Sequence, residues 1–272
     1  MRKIIKFIKV LCIIFPIALI LFVAVGFLDT RLKLTKYTYK SEKVPESMDG
    51  YKILQISDLH HKNFGKHQKN LINMVKDAKP DIIVLTGDIV DKNHEDIVDV
   101  MYLIKGICDV APIYYVTGNH EQDSNASANF SELRALFEEY GVIDLCESSV
   151  KLDKDNEVTL YGHSYQAYGI ANSLERVEKG LNILIYHDST TFDITSQYGF
   201  DIIFAGHSHG GIIRIPFVGG VCGNSGEYFP KYAGGRFEEN GTTMFASKGL
   251  GDAQIPRFYN PPEVVLVTLK HK

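Results

Sequence analysis

The chain alternates between short apolar runs and polar stretches, and the kind of run changes along its length. Near the N-terminus, VLCIIFPIALILFVAVGFL carries no charge from Val10 to Leu28. From Tyr51 onward the apolar runs are shorter, rich in β-branched residues, and end abruptly in polar residues. The clearest are KILQIS, DIIVLTG, PIYYVTG, LNILIY and DIIFAG. Runs of this kind predict strands that are buried on both faces of a sheet.

Segments with apolar residues at helical spacing lie between these runs. Helices are predicted at 68–78, 95–107 and 131–140. Alternation of strands and helices indicates βαβ units and therefore an α/β fold. The second half of the chain predicts a hairpin around DKDN and further strands at 211–215, 242–246 and 263–269. The segment 216–241, rich in glycine and aromatic residues, is expected to be a long loop near a functional site.

The charge-free segment at the N-terminus predicts a membrane-spanning helix. Residues 10–28 would span about 28 Å at ~1.5 Å per residue, close to the ~30 Å hydrocarbon core of a bilayer. A cleaved signal peptide is the alternative, because Ala24, Val25 and Gly26 form a small-x-small triplet. The apolar run continues past that triplet to Leu28, which favours an uncleaved anchor.

Basic residues flank this segment in nearly equal number on both sides, so their distribution alone does not set its orientation in the membrane. Export of a short, highly positive tail is unfavourable, whereas a long domain can be exported regardless of its charge. We therefore expect a single-pass protein of the cell membrane with its large C-terminal domain on the extracytoplasmic side. Its expected parts are a basic cytoplasmic tail at 1–9, a transmembrane anchor at 10–28, a polar tether at 29–50 and a domain at 51–272.

Polar residues of metal-binding types follow each of the five apolar runs. They are Asp58, His60, Asp88, Asn119, His120, His187, His207 and His209. Ligands of open α/β sheets bind beyond the carboxyl ends of the strands, so these side chains are expected at one rim. Imidazole, carboxylate and amide oxygen suit divalent transition metals. Each residue alone is typical of a turn, a helix cap or a structural histidine, but their joint occurrence at successive strand ends favours a metal site.

Two of the motifs separate their candidate ligands by a single residue. These are Asp58-x-His60 and His207-x-His209. In an extended segment, residues i and i+2 point the same way, so each pair is expected to grip one shared centre.

Composition narrows the class of function. The chain has 272 residues, is 45% hydrophobic and carries a net charge of -4, which is ordinary for a globular domain and argues against a nucleic-acid binder. One of its four cysteines, Cys12, lies in the N-terminal apolar run, and the odd number that remains argues against a disulfide framework.

The polar motifs SDLHH, TGDIVD, TGNHE, YHD and GHSHGG, in this order, resemble those of the calcineurin-like metallophosphoesterases. The resemblance covers the chain from about Tyr51 to its C-terminus. The later pieces KGLG and PRFYNPPEVVLVTL resemble the membrane-associated bacterial branch of that family. GHSH stands where GHTH is commoner, a change of one hydroxyl residue for another.

The resemblance implies an α/β fold arranged as a four-layer αββα sandwich that holds two divalent metal ions. By the same resemblance the ligands divide into two sets, one of Asp58, His60 and His209 and one of Asn119, His187 and His207. Asp88 would bridge the two metals. His120 would be the catalytic residue that contacts the phosphoryl group or the leaving oxygen.

The implied activity is hydrolysis of phosphodiester or pyrophosphate bonds by a metal-activated hydroxide. Independently, two divalent cations outweigh the charges of Asp58 and Asp88, and a positive cleft attracts anionic phosphate esters. Mn²⁺ is the expected metal, with Fe, Zn and Co as alternatives. Lipid- or nucleotide-linked esters are candidate substrates. The competing hypothesis is a non-catalytic scaffold that binds a protein partner, but the chain keeps all eight motif positions.

Overall fold

The apolar runs become the central strands of two stacked sheets. The computed structural model describes residues 2–94, 96–123, 127–155, 157–165, 179–223, 226–251 and 255–272. Within them, the first sheet has the strand order β1 (Lys33–Ser41), β14 (Glu263–His271), β2 (Lys52–Ile56), β3 (Ile82–Thr86), β4 (Ile113–Val116) and β5 (Ile143–Asp144). The second has the order β12 (Gly235–Glu239), β13 (Thr242–Ala246), β9 (Ile202–Gly206), β8 (Leu181–Asp188), β7 (Val158–Gly162) and β6 (Ser148–Lys151).

The predicted helices are present, with small shifts at their ends. They are α1 (Arg2–Leu28), α2 (Lys69–Ala78), α3 (Val98–Ile107) and α4 (Ser127–Tyr140). The short helix α5 (Phe192–Thr195) was not predicted. The helix predicted at 131–140 starts earlier than its apolar spacing indicated, at Ser127. The start of the helix predicted at 95–107 lies outside the described residues.

Neighbouring side chains of one strand face different layers, and this alternation builds the core. Ile53 of β2 packs between the two sheets with Ile183 and Phe204, whereas Leu54 packs outward against Leu71 and other residues of the helical layer. A separate cluster on the other face of the second sheet contains Phe192 of α5. The layers are therefore helix, sheet, sheet, helix, which confirms the predicted αββα sandwich.

The expectation of a tether at 29–50 is wrong for its central part. Lys33–Ser41 forms β1, which pairs in parallel with β14 along its whole length, from Lys33 opposite Glu263 to Ser41 opposite His271. Its alternating polar residues suit an edge strand with one solvated face. The strand was missed because it has no continuous apolar run and its partner lies more than 200 residues away.

The segment 216–241 is also more ordered than a long loop. It contains β11 (Gly219–Cys222), which pairs antiparallel with β10 (Ile213–Ile215), and it contains β12, the edge strand of the second sheet. Part of it does reach the rim, since the Ser208 hydroxyl donates a hydrogen bond to the carbonyl of Ala233 at 3.0 Å. The predicted hairpin around DKDN is confirmed by β6 and β7, which pair antiparallel.

The N-terminal apolar run lies within α1. Lys6–Leu28 is long and apolar enough to cross a membrane by length and composition, and very little of it is buried against the rest of the protein. A signal sequence near an N-terminus would satisfy the same criteria.

Candidate metal centre

Both sheets contribute their strand ends to one buried cluster of candidate ligands. Asp58 follows β2 and Asp88 follows β3 in the first sheet, while His187 is the last residue but one of β8 and His207 follows β9 in the second. The chain therefore collects polar groups from loops that are far apart in sequence, as expected for strand ends that share an edge.

Three groups of side chains could hold a metal ion, and within each the ligand atoms lie within 4.8 Å of one another. His60, Asp91 and His120 form one of them, which shares His60 with another group. The remaining two groups hold most of the residues predicted to be ligands. One of these two contains Asp58, His60 and His209, and the other contains Asp88, His187 and His207; all six are candidate ligands of a metal ion. Asn119 adjoins the second group, because its Oδ1 lies 3.2 Å from His187 Nε2.

Asp88 lies between the two groups. Its Oδ2 atom is 3.5 Å from His60 Nε2 and 3.3 Å from His187 Nε2. The side chain is fully buried, and Oδ2 has no hydrogen-bond partner among the described residues. One carboxylate oxygen thus faces both groups.

The site carries buried polar atoms that a cation would satisfy. Both ring nitrogens of His60 lack a hydrogen-bond partner within the described part of the chain. His207 Nδ1 and His187 Nε2 lie 3.2 Å apart, a distance at which two imidazole nitrogens need a shared proton or cation. Buried groups without partners are costly and rare in proteins. The residues present therefore fit divalent metal ions.

The one-residue spacing acts through turns rather than through extended backbone. Asp58, His60, Asp88, His207 and His209 all adopt left-handed φ angles between 44° and 72°. Non-glycine residues in this region carry strain that clusters at functional sites. Asp58 and His60 belong to one group, whereas His207 and His209 belong to different groups, which matches the division implied by the family resemblance.

Hydrogen bonds from the surrounding backbone orient the candidate ligands. His187 Nδ1 lies 2.7 Å from the Thr86 carbonyl, so Nδ1 carries a proton and donates it to that oxygen. This hydrogen bond directs Nε2 towards the site. The Asp58 carboxylate accepts bonds from the Ser57 hydroxyl at 2.6 Å and from the His207 N–H at 2.9 Å. Such supporting contacts fix both the tautomer and the direction of a ligand.

Two glycines allow this close packing. A Cβ on Gly206 would lie 2.0 Å from Ser57 Oγ, and one on Gly118 would lie 2.2 Å from Asp88 Oδ1. Both distances are far below van der Waals contact. The glycines of GHSHGG and TGNHE therefore let the backbone approach the carboxylates.

Burial controls the protonation of the metal-free site. It raises the pKa of Asp58 to about 6 and lowers the pKa of His60 to about 4. Burial also opposes a charge on His187, but the nearby carboxylate of Asp88 outweighs it and raises the pKa of His187 to about 10. The same pairing lowers the pKa of Asp88 despite its burial. Neutral His60 is thus ready to bind metal, whereas at His187 a metal would replace a proton.

His120 lies beside the cluster and is half-buried. Its ring centroid is 4.5 Å from that of His60, and its Nδ1 is 3.6 Å from Asp91 Oδ1. Burial lowers the pKa of His120, but Asp91 and Asp88 outweigh it, so the pKa rises above the usual value. Sequence reasoning missed Asp91, although it closes the quoted TGDIVD motif.

Glu121 is a second residue that sequence reasoning passed over. The side chain is buried, and its two oxygens accept bonds from the backbone N–H groups of Asp88, Ile89, Val90 and Gly118 at 2.7–3.1 Å. The carboxylate thereby clamps the TGDIVD and TGNHE loops together. Its position directly after Asn119 and His120 was the available signal.

The fold and this site define a class of protein, and comparison with known families agrees. The model of the calcineurin-like phosphoesterase family matches residues 51–211, more than half of the chain. This chain belongs to the calcineurin-like phosphoesterase family, whose members use divalent metals.

Several bacterial proteins are similar over most of the chain. The uncharacterized metallophosphoesterase YkuE of Bacillus subtilis is 28% identical over 255 residues, covering 88% of this chain and 86% of its own. Phosphodiesterase YaeI of Escherichia coli is 23% identical, covering 80% of this chain and 82% of its own. UDP-2,3-diacylglucosamine pyrophosphatase LpxG of Chlamydia muridarum is 25% identical, covering 87% and 88% respectively.

Proposed function

We propose that this chain is a membrane-anchored phosphoesterase that hydrolyses phosphodiester or pyrophosphate bonds at a centre of two divalent metals. The observation that carries the proposal is the position of Asp88 Oδ2, a buried oxygen that accepts no hydrogen bond from the described residues and faces His60 on one side and His187 on the other. A buried carboxylate oxygen between two sets of imidazoles is the arrangement that a bridging ligand requires.

The two metals would be held by separate sets of side chains that share one bridging residue. One set is Asp58, His60 and His209, the other is Asn119, His187 and His207, and Asp88 belongs to both. When bound, such a pair supplies Lewis acidity to the water and phosphoryl oxygens of the reaction. Mn²⁺ is the metal we propose, with Fe, Zn or Co as alternatives, because mixed imidazole and oxygen donors suit this group.

The chain's own residues then recognise and protonate the substrate. Asp58 and Asp88 leave a centre of two divalent cations with excess positive charge, which attracts an anionic ester. His120 stands beside this centre, held by Asp91, in a position to contact the phosphoryl group. In its protonated form it would donate a proton to the departing oxygen.

The class of bond follows from two relatives. One is named a phosphodiesterase and another a pyrophosphatase of a diacylated nucleotide sugar, and both names describe cleavage at phosphorus. We extend the bond class to this chain, with lipid- or nucleotide-linked esters as the proposed substrates. The helix α1 would act as an uncleaved single-pass anchor that keeps the site at the cell membrane, with the domain on the extracytoplasmic side.

The test is hydrolysis of a chromogenic phosphodiester by the purified full chain with added Mn²⁺. We expect activity in the parent and loss of activity in His120→Ala, in Asp88→Asn and in the double variant. A parent that binds metal yet cleaves neither diester nor pyrophosphate would instead support the scaffold hypothesis. Activity that survived both substitutions together would contradict the roles proposed here.

A further inference from the structure

Large apolar side chains are exposed on a part of the molecule outside the metal centre. They are Ile215, Phe217, Val218, Tyr228 and Phe229, here called the apolar face. Phe217 is fully exposed to solvent, and Tyr228 is 79% exposed. Contiguous apolar patches are rare on soluble monomers and mark contact with a protein or a membrane.

Backbone pairing holds these residues together as one unit. The hairpin of β10 and β11 carries Phe217 and Val218 in its turn. Tyr228 forms a bridge with Cys222 of β11, and the Phe229 N–H donates to the Val221 carbonyl at 2.9 Å. The apolar face is therefore carried by a two-stranded hairpin and by residues 228–229, which pair with its second strand.

The hairpin is joined to the segment that packs on α1. Arg214 of β10 donates its N–H to the Phe258 carbonyl at 2.8 Å, and Ile213 forms a bridge with the same residue. An open groove of about 420 Å³ separates the hairpin turn from Tyr259. Residues 258–259 thus link the apolar face to the helix.

The contact between this segment and α1 is close and specific. The Tyr259 hydroxyl donates to the Phe22 carbonyl at 2.9 Å, and its N–H donates to the Gly26 carbonyl at 2.8 Å. The Phe258 ring lies 4.9 Å from that of Phe27. A Cβ on Gly26 would lie only 2.2 Å from the Phe258 ring, so that glycine lets the ring rest on the helix backbone.

The position of this contact along α1 sets the depth of the apolar face. Phe22 precedes the end of the helix by six residues, about 9 Å at ~1.5 Å per residue. The neighbouring side chains Val25, Phe27 and Leu28 are apolar and exposed, as they would be against lipid. A protein surface that grips a spanning helix at this depth must itself lie in the membrane interface, where tyrosine is enriched.

We propose that the apolar face inserts among lipids beside α1 and forms a second membrane contact of this protein. The proposal rests on the membrane anchor of the proposed function and deepens it. The occupant is a lipid bilayer because the face is continuous with an exposed apolar helix end.

Insertion would also bring the metal centre close to membrane-bound esters. His209 precedes Phe217 by eight residues, so their Cα atoms are at most about 28 Å apart. The hairpin turn and the site are thus two ends of one short segment.

The chain contains no tryptophan, which makes a single introduced tryptophan a clean probe of depth. Three full-length variants are compared in vesicles of phosphatidylcholine with and without brominated acyl chains. Phe217→Trp probes the apolar face and Phe15→Trp probes α1. Ile143→Trp, exposed on β5 at the sheet edge opposite β1, is the matched control. Unchanged hydrolysis of a soluble chromogenic diester verifies that each variant is folded.

We expect brominated lipid to quench most of the emission of Phe217→Trp and Phe15→Trp, and to leave Ile143→Trp unchanged. Quenching of Phe15→Trp without Phe217→Trp would overturn the proposal and leave the anchor intact. The emission of Phe217→Trp could instead shift with protein concentration and not respond to lipid. That result would overturn the proposal and show that the apolar face binds a second copy of the chain. If neither probe is quenched, anchor and face are both wrong, while the hydrolysis assay still decides the catalytic function.

Discussion

Asp88 and His187 meet across the two sheets, with Oδ2 of the carboxylate 3.3 Å from Nε2 of the imidazole and both side chains fully buried. Asp88 follows β3 of the first sheet, and His187 belongs to β8 of the second. A metal held by this pair would connect the two sheets. The pair is assembled only in the folded protein. Metal binding and folding should therefore be coupled.

Metal ions are expected to raise the thermal stability of the protein. A ligand that binds only the folded state adds about 2.7 kcal/mol when its free concentration is about 100 times its Kd. Calorimetry of chelator-treated protein, with and without Mn²⁺, measures the change in Tm. His187→Ala should lose most of the increase; an equal increase in that variant would show that the metal binds elsewhere.

Asp88→Asn should weaken both metals together. The substitution removes the anionic oxygen that faces both groups, and even changes to groups that merely support a ligand cost about 10–100-fold in metal affinity. We expect the affinity for each of the two metal ions to fall by at least that factor, as measured by titration calorimetry. The control is Asp77→Asn, an exposed aspartate of α2, which should bind metal normally. If the variant still bound one metal ion as tightly as the parent, Asp88 would not be a ligand shared by both metals.

Much of the fold was predictable because β2, β3, β4, β8 and β9 are buried on both faces. That environment leaves an apolar, β-branched run in the sequence, whatever the partner strands are. The edge strand β1 leaves no such run, and its parallel pairing with β14 depends on contacts distant in sequence. Local patterns therefore identified the centre of each sheet better than its edges.

The candidate site divides in a similar way. The candidate metal-ligating residues stood out because each follows an apolar run directly. Glu121 was missed because its role depends on how two loops face one another, and its partners are backbone groups with no side-chain signature. The split of His207 and His209 between groups was likewise invisible to spacing, because it arises from left-handed turns.

Glu121→Gln should destabilise the protein and loosen the site. A glutamine has one acceptor oxygen where the carboxylate has two, so some of the four clamped N–H groups lose their partner. Each buried group left unpaired costs about 1–3 kcal/mol. Chemical denaturation measures the loss, with Glu138→Gln on the exposed side of α4 as the control. Equal stability of the two variants would mean that the clamp contributes nothing.

His120→Ala should lower kcat while leaving the metal content unchanged. A positioned proton donor contributes about 10²–10⁴-fold to the rate. His120, His60 and Asp91 could also hold a metal by their spacing, but the proposed role of His120 is contact with the phosphoryl group. Steady-state kinetics and elemental analysis on the same samples separate the two effects. The exposed His67, replaced by alanine, serves as the control. Loss of metal together with activity would make His120 a ligand instead.

Gly26→Leu should release α1 from the domain. The new side chain would collide with the Phe258 ring and break the hydrogen bond from Tyr259 N–H to the Gly26 carbonyl. Hydrogen exchange of the segment containing Tyr259 should accelerate, whereas Val25→Leu, on the exposed side of the helix, should leave it unchanged. Slow exchange in both variants would show that the helix does not pack there.

Anomalous diffraction from crystals loaded with Mn²⁺ tests the central claim most directly. We predict two peaks, one within reach of Asp58, His60 and His209 and one within reach of Asn119, His187 and His207, with Asp88 in contact with both. A single peak, or peaks that leave Asp88 without a metal, would contradict a dinuclear centre.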